Sequence, residues 1–122
     1  MLDPRVCLIL ERAAFPSNMV HDEIRQLLDA PRTGPSAPNL AEIEHALTAG
    51  YAEALTLEAE RWRLERRITD VAALIGDGEA EHADELAVLG RRLSGTQREL
   101  TGLRELLEVL STRAAAVRAA AA

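Results

Sequence analysis

Residues 40–76 read LAEIEHALTAGYAEALTLEAERWRLERRITDVAALIG, and their apolar side chains recur at alternating spacings of three and four. A second segment, residues 86–117, repeats the same spacing. Such spacings place apolar side chains along one stripe of an α-helix, and a stripe that continues for about five heptads is typical of a coiled coil. The sequence Gly-Asp-Gly at 76–78 separates the two segments and predicts a turn. The pattern therefore predicts an all-α protein built on a long antiparallel coiled-coil hairpin.

The two segments can be aligned as an antiparallel pair. If Val71 lies opposite Leu86, paired residue numbers add to 157 and every other layer follows. Arg61 then faces Thr96, and small residues face large ones, which fills a core without voids. We expect Arg61 to specify this register, as polar core residues do in coiled coils. The predicted hairpin core consists of Leu47, Leu57, Arg61, Leu64, Ile68, Leu89, Leu93, Thr96, Leu100 and Leu110.

Charged residues beside this seam are less well matched in the same alignment. Glu60 would lie near Glu99, and Arg67 would lie near Arg92. Like charges on neighbouring helical positions are mildly unfavourable. Either these side chains splay apart, or further helices separate them, and we favour the second alternative, a larger bundle.

Proline and glycine divide the chain into three parts. Residues 1–29 are predicted to form two short amphipathic helices, residues 30–38 a Pro/Gly-rich linker, and residues 39–122 the hairpin, with arms 39–75 and 78–119 and a turn at 76–78. Asn39, followed three residues later by Glu42, predicts the cap of the first arm. Because short helices are marginal alone, we expect the N-terminal pair either to fold back over its own hairpin or to dock on another subunit.

Some apolar side chains lie outside the predicted seam. Exposed apolar patches mark association surfaces, and a two-helix core is thin, so the sequence predicts a homodimer that forms a helical bundle. The favoured function is a non-enzymatic protein–protein interaction module, an adaptor or regulator whose protein partner the sequence does not identify. The predicted association surface consists of Tyr51, Leu55, Trp62 and Leu106.

Two charged groups give a second hypothesis. Asp77, Glu79 and Glu81 form an acidic hairpin tip, and the middle of the rod carries an arginine belt beside Trp62 that includes Arg66, Arg67, Arg91 and Arg92. The acidic-tipped hairpin is similar to the coiled-coil finger of the Gre-type transcript-cleavage factors, which implies insertion into RNA polymerase. Arginine beside an aromatic ring can also hold phosphates or stack on bases. The alternative is thus a transcription-associated or nucleic-acid-associated regulator.

Composition weighs against several other classes. The formal net charge of −6 over 122 residues argues against general nucleic-acid affinity. The single cysteine, Cys7, is typical of a reducing cytosol, and no apolar run approaches the roughly 20 residues that cross a bilayer. We therefore expect a cytoplasmic protein that makes no membrane contact. His21, His45 and His82 lack metal-ligand spacing, and no catalytic motif is present, so we expect no enzyme, metal or cofactor.

Overall fold

The computed structural model describes residues 16–76 and 82–121, and of residues 16–18 it describes the backbone alone. Within these ranges all regular secondary structure is helical and no strand is present, which confirms the all-α prediction. The helices are α1 (Pro16–Asp29), α2 (Leu40–Gly76) and α3 (His82–Ala121). The first predicted N-terminal helix, the acidic tip and most of the predicted turn lie outside the described residues. None of the three helices is long and apolar enough to cross a membrane.

The cap of α2 forms as the sequence predicts. The side-chain oxygen of Asn39 accepts a hydrogen bond from the backbone N–H of Glu42 at 2.8 Å, which satisfies one of the free donors at a helix start. The helix itself therefore begins at Leu40. In the preceding linker the N–H of Ala37 donates to the carbonyl oxygen of Gly34 at 3.1 Å. Gly34 has a φ of 95°, a left-handed conformation that glycine adopts without steric cost.

The described chain falls into two compact units. The first contains the residues up to Glu53 and those from Leu103 onward, and the second is Ala54–Gly102. Most of the buried apolar side chains of both units are the predicted seam positions. In the first unit they are Ile43, Leu47, Leu103, Leu107, Leu110 and Ala114, and in the second they are Ala54, Leu57, Leu64, Val71, Leu89 and Leu100.

In the first unit α1 packs against α2 and α3 of its own chain. Ile24 of α1 is fully buried, and it lies next to Gly50 of α2. A Cβ atom at Gly50 would lie 3.2 Å from Cδ1 of Ile24 and would overlap Cδ2 of Leu107. Gly50 therefore faces Leu107, the layer that the sequence alignment predicts, and of the two arrangements considered for the second short helix, the structure has the one within the same chain.

In the second unit the cluster of Leu64, Val71 and Leu89 forms the core, and four half-buried side chains pack against it: Ile68, Ile75, Leu86 and Leu93. Thr96 is also buried. In this unit the arginines of the expected like-charge neighbours pair with acids instead. Arg67 pairs with Glu85 at 2.7 Å, and Arg92 lies 3.8 Å from Glu60. Each arginine is long enough to reach an acid on the neighbouring helix, and opposite charges favour that reach.

Candidate interaction surface

The exposed apolar side chains of α2 form the strongest candidate site. Leu55 is 67% exposed and Trp62 is 61% exposed, although large apolar side chains are usually buried. A spacing of seven places both on the same side of the helix. Ala59 lies between them and is also exposed. The second unit thus presents an apolar stripe, Leu55–Ala59–Trp62, which we call the α2 stripe.

Arg66 holds one face of Trp62. Its guanidinium carbon lies 5.2 Å from the centre of the indole ring, within the range of a cation–π contact. The two residues are four apart and therefore neighbours on the helix surface. This contact restricts the indole before any partner binds, which lowers the entropy lost when it enters an interface. Tryptophan is enriched among the residues that dominate protein–protein interfaces, which makes Trp62 a candidate anchor.

The other predicted association residues are placed differently. Tyr51, in the first unit, is 50% exposed on α2. Leu106, also in the first unit, is half-buried on α3.

Arg113 is a structural residue that the sequence analysis did not single out. Its guanidinium Nη1 donates hydrogen bonds to the backbone oxygens of Leu27 and Leu28, at 3.2 and 3.1 Å. The last four carbonyls of a helix lack partners within it, and a cation at a helix C-terminus also opposes the negative end of the helix dipole. Arg113 thus fixes the end of α1 on α3. A residue 85 positions away gives no local signal of this contact.

Ala46 and Glu53 of α2 lie on the side of the helix that α1 occupies. They stand four residues before and three residues after Gly50, and all three residues are buried in the first unit. The small residues Ala46 and Gly50 let α1 approach closely. Their position beside the predicted seam was the available sequence signal for a third helix here.

The arginine belt is engaged largely with the protein itself. Besides the pairs of Arg67 and Arg92, Arg61 lies 3.5 Å from Glu65 on its own helix, and its side chain is 39% exposed. The guanidinium of Arg61 therefore reaches solvent at the edge of the seam, and its recorded ion pair is within α2, not with α3. Arg66 stacks on Trp62, and Arg91 is exposed. The ion pairs offset the positive charge of Arg61, Arg67 and Arg92, whereas Arg66 on the indole keeps its charge.

A charged cluster lies at the start of α3. Oε1 of Glu85 accepts from Nη2 of Arg67 at 2.7 Å, and Oε2 lies 3.4 Å from Nδ1 of His82. Hydrogen bonding to Arg67, and secondarily to His82, holds the pKa of Glu85 below its ordinary value of 4.5. The acids expected at the tip, Asp77, Glu79 and Glu81, lie outside the described residues. In residues 16–76 and 82–121, no group of three or more His, Cys, Asp or Glu side chains is placed to hold a metal ion.

Comparison with protein-family models, with curated proteins and with solved structures finds no significant match to this chain. A function for this protein is therefore inferred from the chain's own geometry.

Proposed function

We propose that this protein is a non-enzymatic helical protein–protein interaction module that binds through the α2 stripe. The exposure of Leu55 and Trp62 carries the proposal. Burying a large apolar or aromatic side chain contributes about 1.5–3 kcal/mol, and tryptophan is enriched among the residues that dominate binding energy. A partner surface would supply the burial that the described part of the chain does not provide.

We infer that α2 and α3 form the scaffold as an antiparallel coiled-coil hairpin. Burial of the seam positions within each unit supports this inference. The cross-helix pairs of the second unit also support it. Residue numbers increase from Glu60 to Arg67 along α2, while those of their partners decrease from Arg92 to Glu85 along α3. Such a scaffold displays the stripe on a regular helix, which limits the entropy cost of association.

A homodimer is the simplest assembly that would cover the stripe. Within the second unit Leu55 and Trp62 stay exposed on one side of α2, and the same side of a second copy would cover them. A self-associating adaptor or regulator is therefore the proposed functional class.

The test compares capture of proteins from native cell extract by three tagged forms of the chain. These are the unsubstituted protein, the Leu55→Glu/Trp62→Glu variant, and a matched Val88→Glu/Val109→Glu variant that changes two exposed apolar residues of α3. We expect the α2 variant alone to lose its bound proteins while circular dichroism shows unchanged helicity. Capture of the same proteins by all three forms would refute the proposed surface.

A further inference from the structure

We propose that the α2 stripe binds an acidic amphipathic helix of a partner protein, whose carboxylates pair with Arg63 and Arg66. This inference rests on the proposed function and names the chemistry of the partner. The stripe and both arginines belong to α2 in the second unit.

Arg63 and Arg66 are immediate neighbours of the stripe. Arg63 follows Ala59 by four residues, and Arg66 follows Trp62 by four residues. Residues four apart are neighbours on the surface of a helix, and both arginine side chains are exposed. This face of α2 therefore carries apolar side chains and cations together.

The acidic side chains among these residues of α2 already interact with other groups. Glu60 lies 3.8 Å from Arg92 of α3, and Glu65 lies 3.5 Å from Arg61. Glu58 also has an interaction of its own. These three carboxylates are thus engaged before any partner binds.

The two arginines lack such compensation. Arg66 contacts the indole of Trp62 and keeps its charge, and within residues 16–76 and 82–121 Arg63 has no ion pair or hydrogen bond. The chain as a whole has a formal net charge of −6, but at physiological salt charges more than about 8 Å apart are largely screened. The charges nearest the stripe therefore decide which partner it favours, and an acidic partner fits them.

The shape of the stripe favours a helix as that partner. Ala59 lies between two large side chains, Leu55 and Trp62, which leaves a hollow that an apolar side chain of another helix can fill. Apolar residues of an amphipathic helix recur three or four positions apart and can follow the stripe. Acidic residues that flank them would then lie beside Arg63 and Arg66.

A second copy of the chain would meet only part of this requirement. Its stripe would cover Leu55 and Trp62, but it would also bring two further arginines to the contact. An acidic helix would cover the apolar side chains and pair with the arginines at once. Because both would use the same stripe, binding of the acidic helix and self-association through the stripe should exclude each other.

The test uses the full-length protein and two fluorescently labelled synthetic helical peptides of three heptads. Both peptides have the same leucine and alanine heptad pattern, and the flanking positions are glutamate in one and lysine in the other. Anisotropy should show that the glutamate peptide binds about tenfold more tightly than the lysine peptide, because only its flanks oppose the charge of Arg63 and Arg66. Leu55→Glu/Trp62→Glu should abolish the binding.

Charge variants test the two arginines directly. Arg63→Glu/Arg66→Glu should make the lysine peptide the tighter ligand, whereas Arg63→Lys/Arg66→Lys should retain the original preference. Arg91→Glu/Arg98→Glu is the matched control, because it reverses two exposed arginines of α3 in the same unit and should leave the preference unchanged. Asp70→Asn removes an exposed acid four residues beyond Arg66 and should tighten binding of the glutamate peptide by about twofold.

Several results would overturn the proposal. They are absent binding of the glutamate peptide, equal affinity for the two peptides, and equal effects of the arginine reversals on α2 and α3. A dimer that depends on Leu55 and Trp62 and keeps its mass in saturating glutamate peptide, measured by sedimentation equilibrium, would assign the stripe to a second copy instead. If Arg63→Glu/Arg66→Glu still captured the same proteins from cell extract in a Leu55- and Trp62-dependent way, the acidic partner would fail while the proposed function stood.

Discussion

Gly50 of α2 lies against Leu107 of α3 so closely that a Cβ atom at Gly50 would overlap the Leu107 side chain. Ile24 of α1 closes the same site from the third side, with its Cδ1 atom 3.2 Å from the position of that Cβ. A glycine in a helix interior is destabilising by roughly 0.5–1 kcal/mol relative to alanine. The close approach of three helices at this position explains its presence, because burial of the Leu107 and Ile24 side chains offsets that cost.

Gly50→Ala should therefore destabilise the protein even though alanine is the better helix former. Leu107 and Ile24 are both buried, so neither can move aside without disturbing the core. Overpacking costs about 1–3 kcal/mol against a gain of roughly 1 kcal/mol in helix propensity, which leaves a net loss of about 1 kcal/mol. Gly95→Ala is the matched control, since a Cβ atom there meets open space, and it should stabilise by roughly 0.5–1 kcal/mol. Urea unfolding measures the free energy of unfolding of both variants. A Gly50→Ala variant that is more stable than the unsubstituted protein would contradict the close packing at Gly50.

Removing the Arg113 guanidinium should release α1. Arg113→Ala takes away the donor to the carbonyl oxygens of Leu27 and Leu28, at an expected cost of about 1–2 kcal/mol for a charged donor in a partly exposed place. Amide hydrogen exchange should show reduced protection in α1 while the central turns of α2 stay protected.

Arg98→Ala is the control for this variant, because Arg98 is an exposed arginine of α3 in the second unit. It should leave the protection of α1 unchanged. Equal exchange in the two variants would mean that Arg113 does not hold α1.

The Arg67–Glu85 pair should make stability depend on acid pH. Because the pKa of Glu85 is lowered in the folded state, its stabilising contribution is fully present above the unfolded-state pKa, about 4.3 for glutamate. The contribution is lost as the pH falls through the lower folded-state value. The thermal unfolding temperature should therefore fall less steeply between pH 5 and pH 2 in Glu85→Gln than in the unsubstituted protein. Glu108→Gln, at an exposed position of α3, provides the comparison. Parallel pH profiles for all three would exclude the effect.

The arginine belt should act within the protein and not on nucleic acid. Arg67 and Arg92 face Glu85 and Glu60, which offsets two positive charges of the belt, and the chain has a formal net charge of −6, so we expect little counterion release from a phosphate backbone. We expect no binding of single- or double-stranded DNA or RNA at 0.15 M salt in an anisotropy assay. Salt-sensitive binding that Arg66→Glu/Arg67→Glu abolishes would instead support the nucleic-acid alternative.

The period of the sequence was sufficient to assign the helices and their buried faces. Positions such as Leu57, Leu64, Leu100 and Leu110 are buried where the heptads place them, because side-chain direction along a helix depends on spacing alone. The Asn39 cap was also predictable, since its partner Glu42 lies one helical turn away. For the candidate site, spacing identified Leu55 and Trp62 as residues outside the seam.

The contacts between distant parts of the chain depended on the tertiary structure. Sequence patterns left the location of α1 open, because an amphipathic helix shows which face it buries but not against what. Aligning the two segments by residue number also placed Arg67 beside Arg92, whereas the long side chain of Arg67 reaches Glu85. Arg113 acquired its role in the same way, from the end of α1 that it contacts. Local periodicity determined the helices and their apolar faces, while the reach of side chains between neighbouring helices decided which charges pair.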